Sequence, residues 1–178
     1  LPQTREVSFI IQASKLAAKE YVCNELPYEV DLYKDFFVPK TLLSTLKTTN
    51  KMLFITGSIY AHENGLQNAL VLNNDKNVVE ALNGSLFMLM GNKLITPPLS
   101  EGCLNGMMRK QLLLLAKKID GMEVVEQVIS PFDLQKADEL FICNIITGVQ
   151  PITQYRKKSY TTAIAKQLTL LLNEAIAI

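Results

Sequence analysis

Apolar and polar residues change their spacing several times along this chain, and each change predicts an element. Val7 to Gln12 is an apolar run that predicts a buried strand. Ala13 to Pro27 mixes Lys, Glu, Asn and Pro and predicts a connecting segment. Tyr28 to Tyr33 alternates polar with apolar, as strands do. Thr48 to Asn64 carries apolar residues at helical spacing and stops at Gly65, a C-terminal helix signal. Short strands follow at Asn68 to Leu72, Val78 to Glu80, Ser85 to Met90 and Lys93 to Thr96, with turns at Asn73-Asn74-Asp75 and Gly91-Asn92. Asn105-Gly106 opens a helix to about Lys118. Glu123 to Val128 is a strand, and Ser130-Pro131 caps a short helix with Pro at its first position. Ala137 to Cys143 and Val149 to Ile152 predict two more strands, and Tyr160 to Ala177 a C-terminal helix. Short strands mixed with a few longer helices give a mixed α/β (α+β) domain, whose topology periodicity does not choose.

Composition narrows the function classes. A chain of 178 residues with 48% hydrophobic content is a globular domain with room for a substantial core. Its net charge of +1 excludes a broad attraction to nucleic acid or anionic membrane. The densest basic cluster, Arg156-Lys157-Lys158, reads as a solvated turn. No apolar run reaches the roughly 18 residues of a bilayer span, and Leu1 to Arg5 does not read as a signal peptide. Cys23, Cys103 and Cys143 are widely spaced and odd in number, which argues against a disulfide framework or a zinc pair. A reducing cytoplasm is the simplest compartment. The opening Leu1-Pro2, without an initiator Met and almost at once apolar, reads as a chain entered midway.

Four stretches carry the candidate chemistry: Thr45-Leu46-Lys47-Thr48-Thr49-Asn50; Val78-Val79-Glu80, leading into Ala81-Leu82-Asn83-Gly84-Ser85-Leu86-Phe87; Leu104-Asn105-Gly106-Met107-Met108-Arg109; and Ile142-Cys143-Asn144-Ile145. Singly, each has a plain structural reading: a surface lysine, a strand-end glutamate, a helix cap above a Leu-Met core face, a strand end. The third has one physical property of its own. Free N–H groups at a helix start, at its positive dipole end, form an anion site, and a glycine lets a ligand approach the backbone.

In this order and at these spacings the four stretches resemble the class IV aminotransferase family, also called fold type IV, over roughly the last three quarters of the chain. That family uses pyridoxal 5'-phosphate (PLP) and includes branched-chain and D-amino-acid aminotransferases and aminodeoxychorismate lyase. The resemblance implies that Lys47, in a Lys-x-x-Asn pattern, is the Schiff-base lysine and the proton carrier at the substrate carbon. That role requires partial desolvation of its amine. It implies that Glu80 pairs with the pyridine nitrogen and keeps the ring an electron acceptor. Leu104 would pack on the ring, and Gly106, Met107 and Met108 would give the phosphate its backbone cradle. Asn144-Ile145 would form the second wall, by backbone alone, because the family's frequent hydroxyl is absent at Ile145. Ser85 stands where the family often has Asn.

The resemblance also implies a pseudo-barrel of mixed strands flanked by helices. Residues 28–178 would be the PLP domain, and residues 1–27 the end of a smaller preceding domain and its linker. That preceding domain would be of roughly a hundred residues, within ordinary domain size. The expected molecule is a homodimeric enzyme acting on a small amino substrate, with no metal. Ile-Cys-Asn and Asn-Gly-Met-Met-Arg echo the lyases, which release 4-aminobenzoate and pyruvate, and put that reaction first. An amino-acid aminotransferase is the alternative, and a non-catalytic scaffold is a third reading. Plain roles are expected elsewhere: His62 near the surface, Cys103 and Cys143 as packing residues, and Tyr28, Tyr33 and Phe36-Phe37 in the core.

Overall fold

The computed structural model describes residues 3–15 and 18–177. One mixed sheet organises them. Strand β1 (Glu29–Val38) leads through a 3₁₀ turn (Leu42–Thr45) and helix α1 (Met52–Glu63) to β2 (Asn68–Asn73), which lies parallel beside it. β3 (Val78–Ala81), β4 (Gly84–Met90) and β5 (Lys93–Thr96) then meander antiparallel. Helix α2 (Met107–Ala116) crosses over to β6 (Glu123–Glu126), parallel to β5. The short α3 (Pro131–Leu134) precedes β7 (Glu139–Asn144) and β8 (Gly148–Ile152), an antiparallel pair that joins the sheet through β4. A two-residue hairpin, β9 (Gln154–Tyr155) and β10 (Lys158–Ser159), returns beside β1, and α4 (Ala163–Ile176) follows. The fold class matches the sequence expectation, as does the order of elements from β1 to β8, with β9 and β10 added before α4.

The strands read as near-continuous apolar runs because the sheet is buried on both faces. Leu70, Leu72, Leu86, Met88, Leu140 and Ile142 fill one face with Val30, Leu32, Tyr155 and Ile152. The intervening residues fill two separate clusters on the other face. Tyr33, Ala69, Val71 and Val79 pack under α1. Phe87, Leu89, Phe141 and Cys143 pack under α2 and α4. Phe87 and Phe141, a cross-strand pair, stack with ring centroids 5.3 Å apart.

Local chemistry sets the helix boundaries. Ser130 and Asp133 form a capping box that starts α3. α4 begins at Ala163 rather than Tyr160 because the buried carboxylate of Glu139 accepts from the N–H groups of Ile164 and Ala165. α1 begins at Met52, four residues later than the spacing predicts. Thr48, Thr49 and Asn50 are weak helix formers, and here they stay outside the helix, exposed. Gly57 sits mid-helix because a Cβ there would lie 2.4 Å from Leu82 Cδ2 and 3.2 Å from Tyr33 Cδ1. Its absence lets α1 seat tightly on β1 and on the β3–β4 turn.

Three expectations are corrected. Val7 to Gln12 forms no strand: it has no pairing partner among the described residues, and Ile10 is 96% exposed. An apolar run without a ladder or an opposing face cannot become a buried strand. Phe36 and Phe37 are exposed rather than core, because β1 extends beyond the region covered by α1. β6 stops at Glu126, and Val128 is exposed. Tyr33 is buried and Tyr28 half-buried against the core, as expected. His62 lies exposed in the last turn of α1, and Arg156-Lys157 turn the β9–β10 hairpin.

Candidate functional site

A one-residue irregularity builds the floor of the site. The β2–β3 turn pairs Leu72 with Val78, yet Val71 pairs with Glu80 and Leu70 with Ala81. Val79 is therefore the extra residue of a β-bulge. Were Val79 paired regularly with Val71 instead, the register set by the turn would place Glu80 opposite Leu70, facing the inner apolar cluster. With the bulge, Glu80 shares the outer face with Val71. Glu80 pairs onward with Ser85 and Ser85 with Cys143, so the three form a row across β3, β4 and β7.

Above this row is a cavity of about 810 Å³. All eight residues singled out from sequence line it: Lys47, Glu80, Leu104, Gly106, Met107, Met108, Asn144 and Ile145. The start of α2 forms one wall and the β7–β8 turn the other. Lys47, Thr48 and Lys51 stand on the rim. The N–H groups of Met107, Met108 and Arg109, in the first turn of α2, have no acceptor among the described residues, as expected at a helix start. Met108 packs its side chain into the core below α2, while Met107 is exposed.

Glu80 is distinguished by what it lacks. The described residues hold three buried glutamates, Glu80, Glu101 and Glu139. Glu139 caps α4 and accepts from Thr161. Glu101 accepts from Asn73 and Asn77 and pairs with Lys40. Burial pushes its carboxyl up, and those bonds more than reverse it, so that its pKa lies below the ordinary value. Glu80 accepts one bond, from the Leu104 N–H at 3.0 Å. Burial pushes its pKa to about 7, against the lowering effects of that N–H and of Lys51 and Lys47. Its carboxylate is thus largely buried with one partner, and it faces a cavity.

The sequence left several contributors unmarked. Lys51 acts on Glu80 ahead of Lys47 and lies over the Phe54 ring at 4.5 Å. Arg109 is buried beneath the start of α2. It donates through Nη2 to the Pro97 carbonyl and pairs with Glu126, while its Nε has no acceptor among the described residues. Tyr21 donates its hydroxyl to the Ile145 carbonyl at 2.8 Å. Asn173 of α4 holds the Tyr21 backbone through two further bonds. The Asn144 side chain, a candidate for the second wall, is occupied within its own turn: it accepts from Ile146 and Thr147 and donates to Asn83. Lys47 differs from expectation. It is exposed, because residues 46–50 form a loop covered by no other segment of the described chain. Cys103 and Cys143 are packing residues whose thiols burial pushes up, Cys103 to about 11.

A mixed sheet thus carries a buried acid, a row of free helix-start N–H groups and a rim lysine around one cavity of an α/β domain. The chain belongs to the class IV amino-transferase family, whose model matches residues 2–155. A protein of Methanocaldococcus jannaschii assigned as a branched-chain-amino-acid aminotransferase is 30% identical over 129 residues, covering 72% of this chain and 44% of that one. The branched-chain-amino-acid aminotransferase of Escherichia coli K12 is 31% identical over 116 residues, 64% of this chain and 37% of that one. The chain therefore spans less than half the length of these curated relatives. A crystal structure of a Thermoproteus uzoniensis branched-chain aminotransferase shares the fold at a TM-score of 0.77 and 21% identity, over 84% of this chain and 51% of that one. A Legionella pneumophila structure assigned as a 4-amino-4-deoxychorismate lyase aligns at 0.77 and 25% identity, over 86% of this chain and 58% of that one. No helix among the described residues is long and apolar enough to cross a membrane.

Proposed function

We propose that residues 28–178 bind pyridoxal 5'-phosphate and that the protein they belong to is an aminotransferase acting on amino acids. The observation that carries this reading is Glu80, a buried carboxylate with one hydrogen bond and a pKa of about 7 facing the cavity. Such a group suits a protonatable ring nitrogen, whose positive charge would offset the cost of burying the acid. The unpartnered N–H groups of Met107, Met108 and Arg109 suit a phosphate ester at the opposite end. Lys47 on the rim suits covalent attachment. The donor set and the cavity therefore fit the cofactor.

Within this reading each residue has a task. Glu80 holds the proton on the ring nitrogen. The helix start would hold the phosphate, and Leu104 would pack against the ring. Lys47 would attach the cofactor and would move a proton at the substrate carbon. Bound PLP supplies an electron sink for that carbon. The curated relatives favour amino-transfer on branched-chain amino acids. The second reading, elimination from aminodeoxychorismate, is supported by the Legionella neighbour and by the Asn105 to Arg109 motif. Self-association as a homodimer and residence in the cytoplasm belong to the same proposal.

The test is incubation with PLP, borohydride reduction and peptide mapping. A stable adduct on Lys47 is the expected result. An adduct confined to another lysine, or none, overturns the assignment. With the adduct in place, 2-oxo acid release from branched-chain amino acids, measured against 4-aminobenzoate release, separates the two reactions.

A further inference from the structure

We infer that the Ser85 hydroxyl is a phosphate ligand, standing in for the hydroxyl absent at Ile145. The inference rests on the cofactor reading above and adds a residue to it.

Ser85 occupies the floor between the two walls. Its backbone pairs with Cys143, the residue before the Asn144-Ile145 wall. Its Oγ lies 3.3 Å from where a Cβ on Gly106 would stand, at the N-cap of α2. Ser85 is only 6% exposed, lines the cavity, and its hydroxyl makes no hydrogen bond among the described residues. The hydroxyl thus opens on the cavity without a protein partner, free to donate to a ligand oxygen placed there.

The uncharged side chains of the two walls and the other lining hydroxyls are spent or peripheral. Ile145, Met107 and Met108 bring no side-chain donor. The Asn144 side chain is engaged within its turn and with Asn83. Thr48 and Thr147 carry hydroxyls but lie exposed. An anion seated on the N–H groups of Met107 and Met108 is close to Ser85 because Gly106 has no side chain to intervene. A serine hydroxyl donates one hydrogen bond to a phosphate oxygen and keeps its lone pairs for others. Glu80 and Ser85, directly opposed in the hairpin, would then divide the cofactor, the acid serving the ring and the hydroxyl the phosphate.

The experiment compares PLP with pyridoxal, which lacks the phosphate, on the full chain and on its Ser85→Ala variant, by spectroscopic titration. The expected result is a loss of PLP affinity of about tenfold to a hundredfold, the scale of one hydrogen bond to a charged acceptor. Pyridoxal affinity should stay unchanged, which also shows that the variant's cavity is intact. Equal weakening of both ligands would place Ser85 against the ring and overturn the inference, as would unchanged affinity for both. A wild-type chain that takes up neither ligand would overturn the cofactor reading and this inference with it. Wild-type binding with no phosphate-specific loss in the variant overturns this inference alone.

Discussion

The Leu104 N–H donates to Glu80 Oε2 at 3.0 Å, joining the bulged strand β3 to the segment that leads into α2. The acid on the floor and the segment leading into the α2 wall are therefore one hydrogen-bonded unit across 24 residues of sequence.

This arrangement gives ligand-free stability a defined pH dependence. The Glu80 carboxyl is raised from 4.5 to about 7, so between those values the folded chain holds a proton that the unfolded chain has released. Stability should be highest below about pH 4.5 with respect to this group, fall through pH 7, and level off above it, by on the order of 3 kcal/mol. Glu80→Gln should remove that slope while keeping an acceptor for Leu104. Chemical denaturation from pH 5 to 8 checks this, and parallel slopes in the two proteins would refute it.

Lys51 and Lys47 should separate cleanly. Lys51 has the larger electrostatic effect on Glu80. Lys51→Ala should move the upper end of the stability window above pH 7 and still yield a PLP adduct on Lys47. Lys47→Ala should lose the adduct and move the window less. Denaturation profiles and peptide mapping on both variants give the two readouts.

Glu139, though equally buried, should prove purely structural. Its carboxylate accepts from Ile164, Ala165 and Thr161 at the start of α4. Glu139→Ala should cost about 2 kcal/mol or more, the scale of a lost charged helix cap. Borohydride labelling of Lys47 should be unchanged in the protein that remains folded.

Tyr21→Phe removes only the bond to the Ile145 carbonyl. The expected cost is about 1 kcal/mol, with faster hydrogen exchange at Ile146 and Thr147, whose N–H groups close the turn onto Asn144. Unchanged exchange at those amides would mean the turn holds itself.

Much of this architecture was legible because its punctuation is local. Ser130-Pro131, Gly91-Asn92 and Gly65 mark ends by backbone chemistry that needs no tertiary context. β9 and β10 were not legible, since two-residue strands carry no periodicity. Val7 to Gln12 misled because an apolar run predicts burial only where something covers it. The candidate site was legible through the order of its motifs. Ser85 looked like a mere departure from a pattern, because its proximity to Gly106 exists only once β4 and α2 meet. The roles of Lys51, Arg109 and Tyr21 depend likewise on contacts remote in sequence.

The bulge at Val79 also makes one position in a buried strand negotiable in length. Deleting Val79 would leave Val78 opposite Leu72 and Glu80 opposite Val71, now in unbroken succession. The outer cluster under α1 would lose one side chain, and Glu80 would keep its outlook. Deleting a residue from the regular stretch of β4 between Ser85 and Leu89 would instead reverse the facing of everything on one side of the cut. Chain length along this sheet is thus strictly enforced in one strand and forgiving by a single residue in its neighbour, at the point where the acid turns outward.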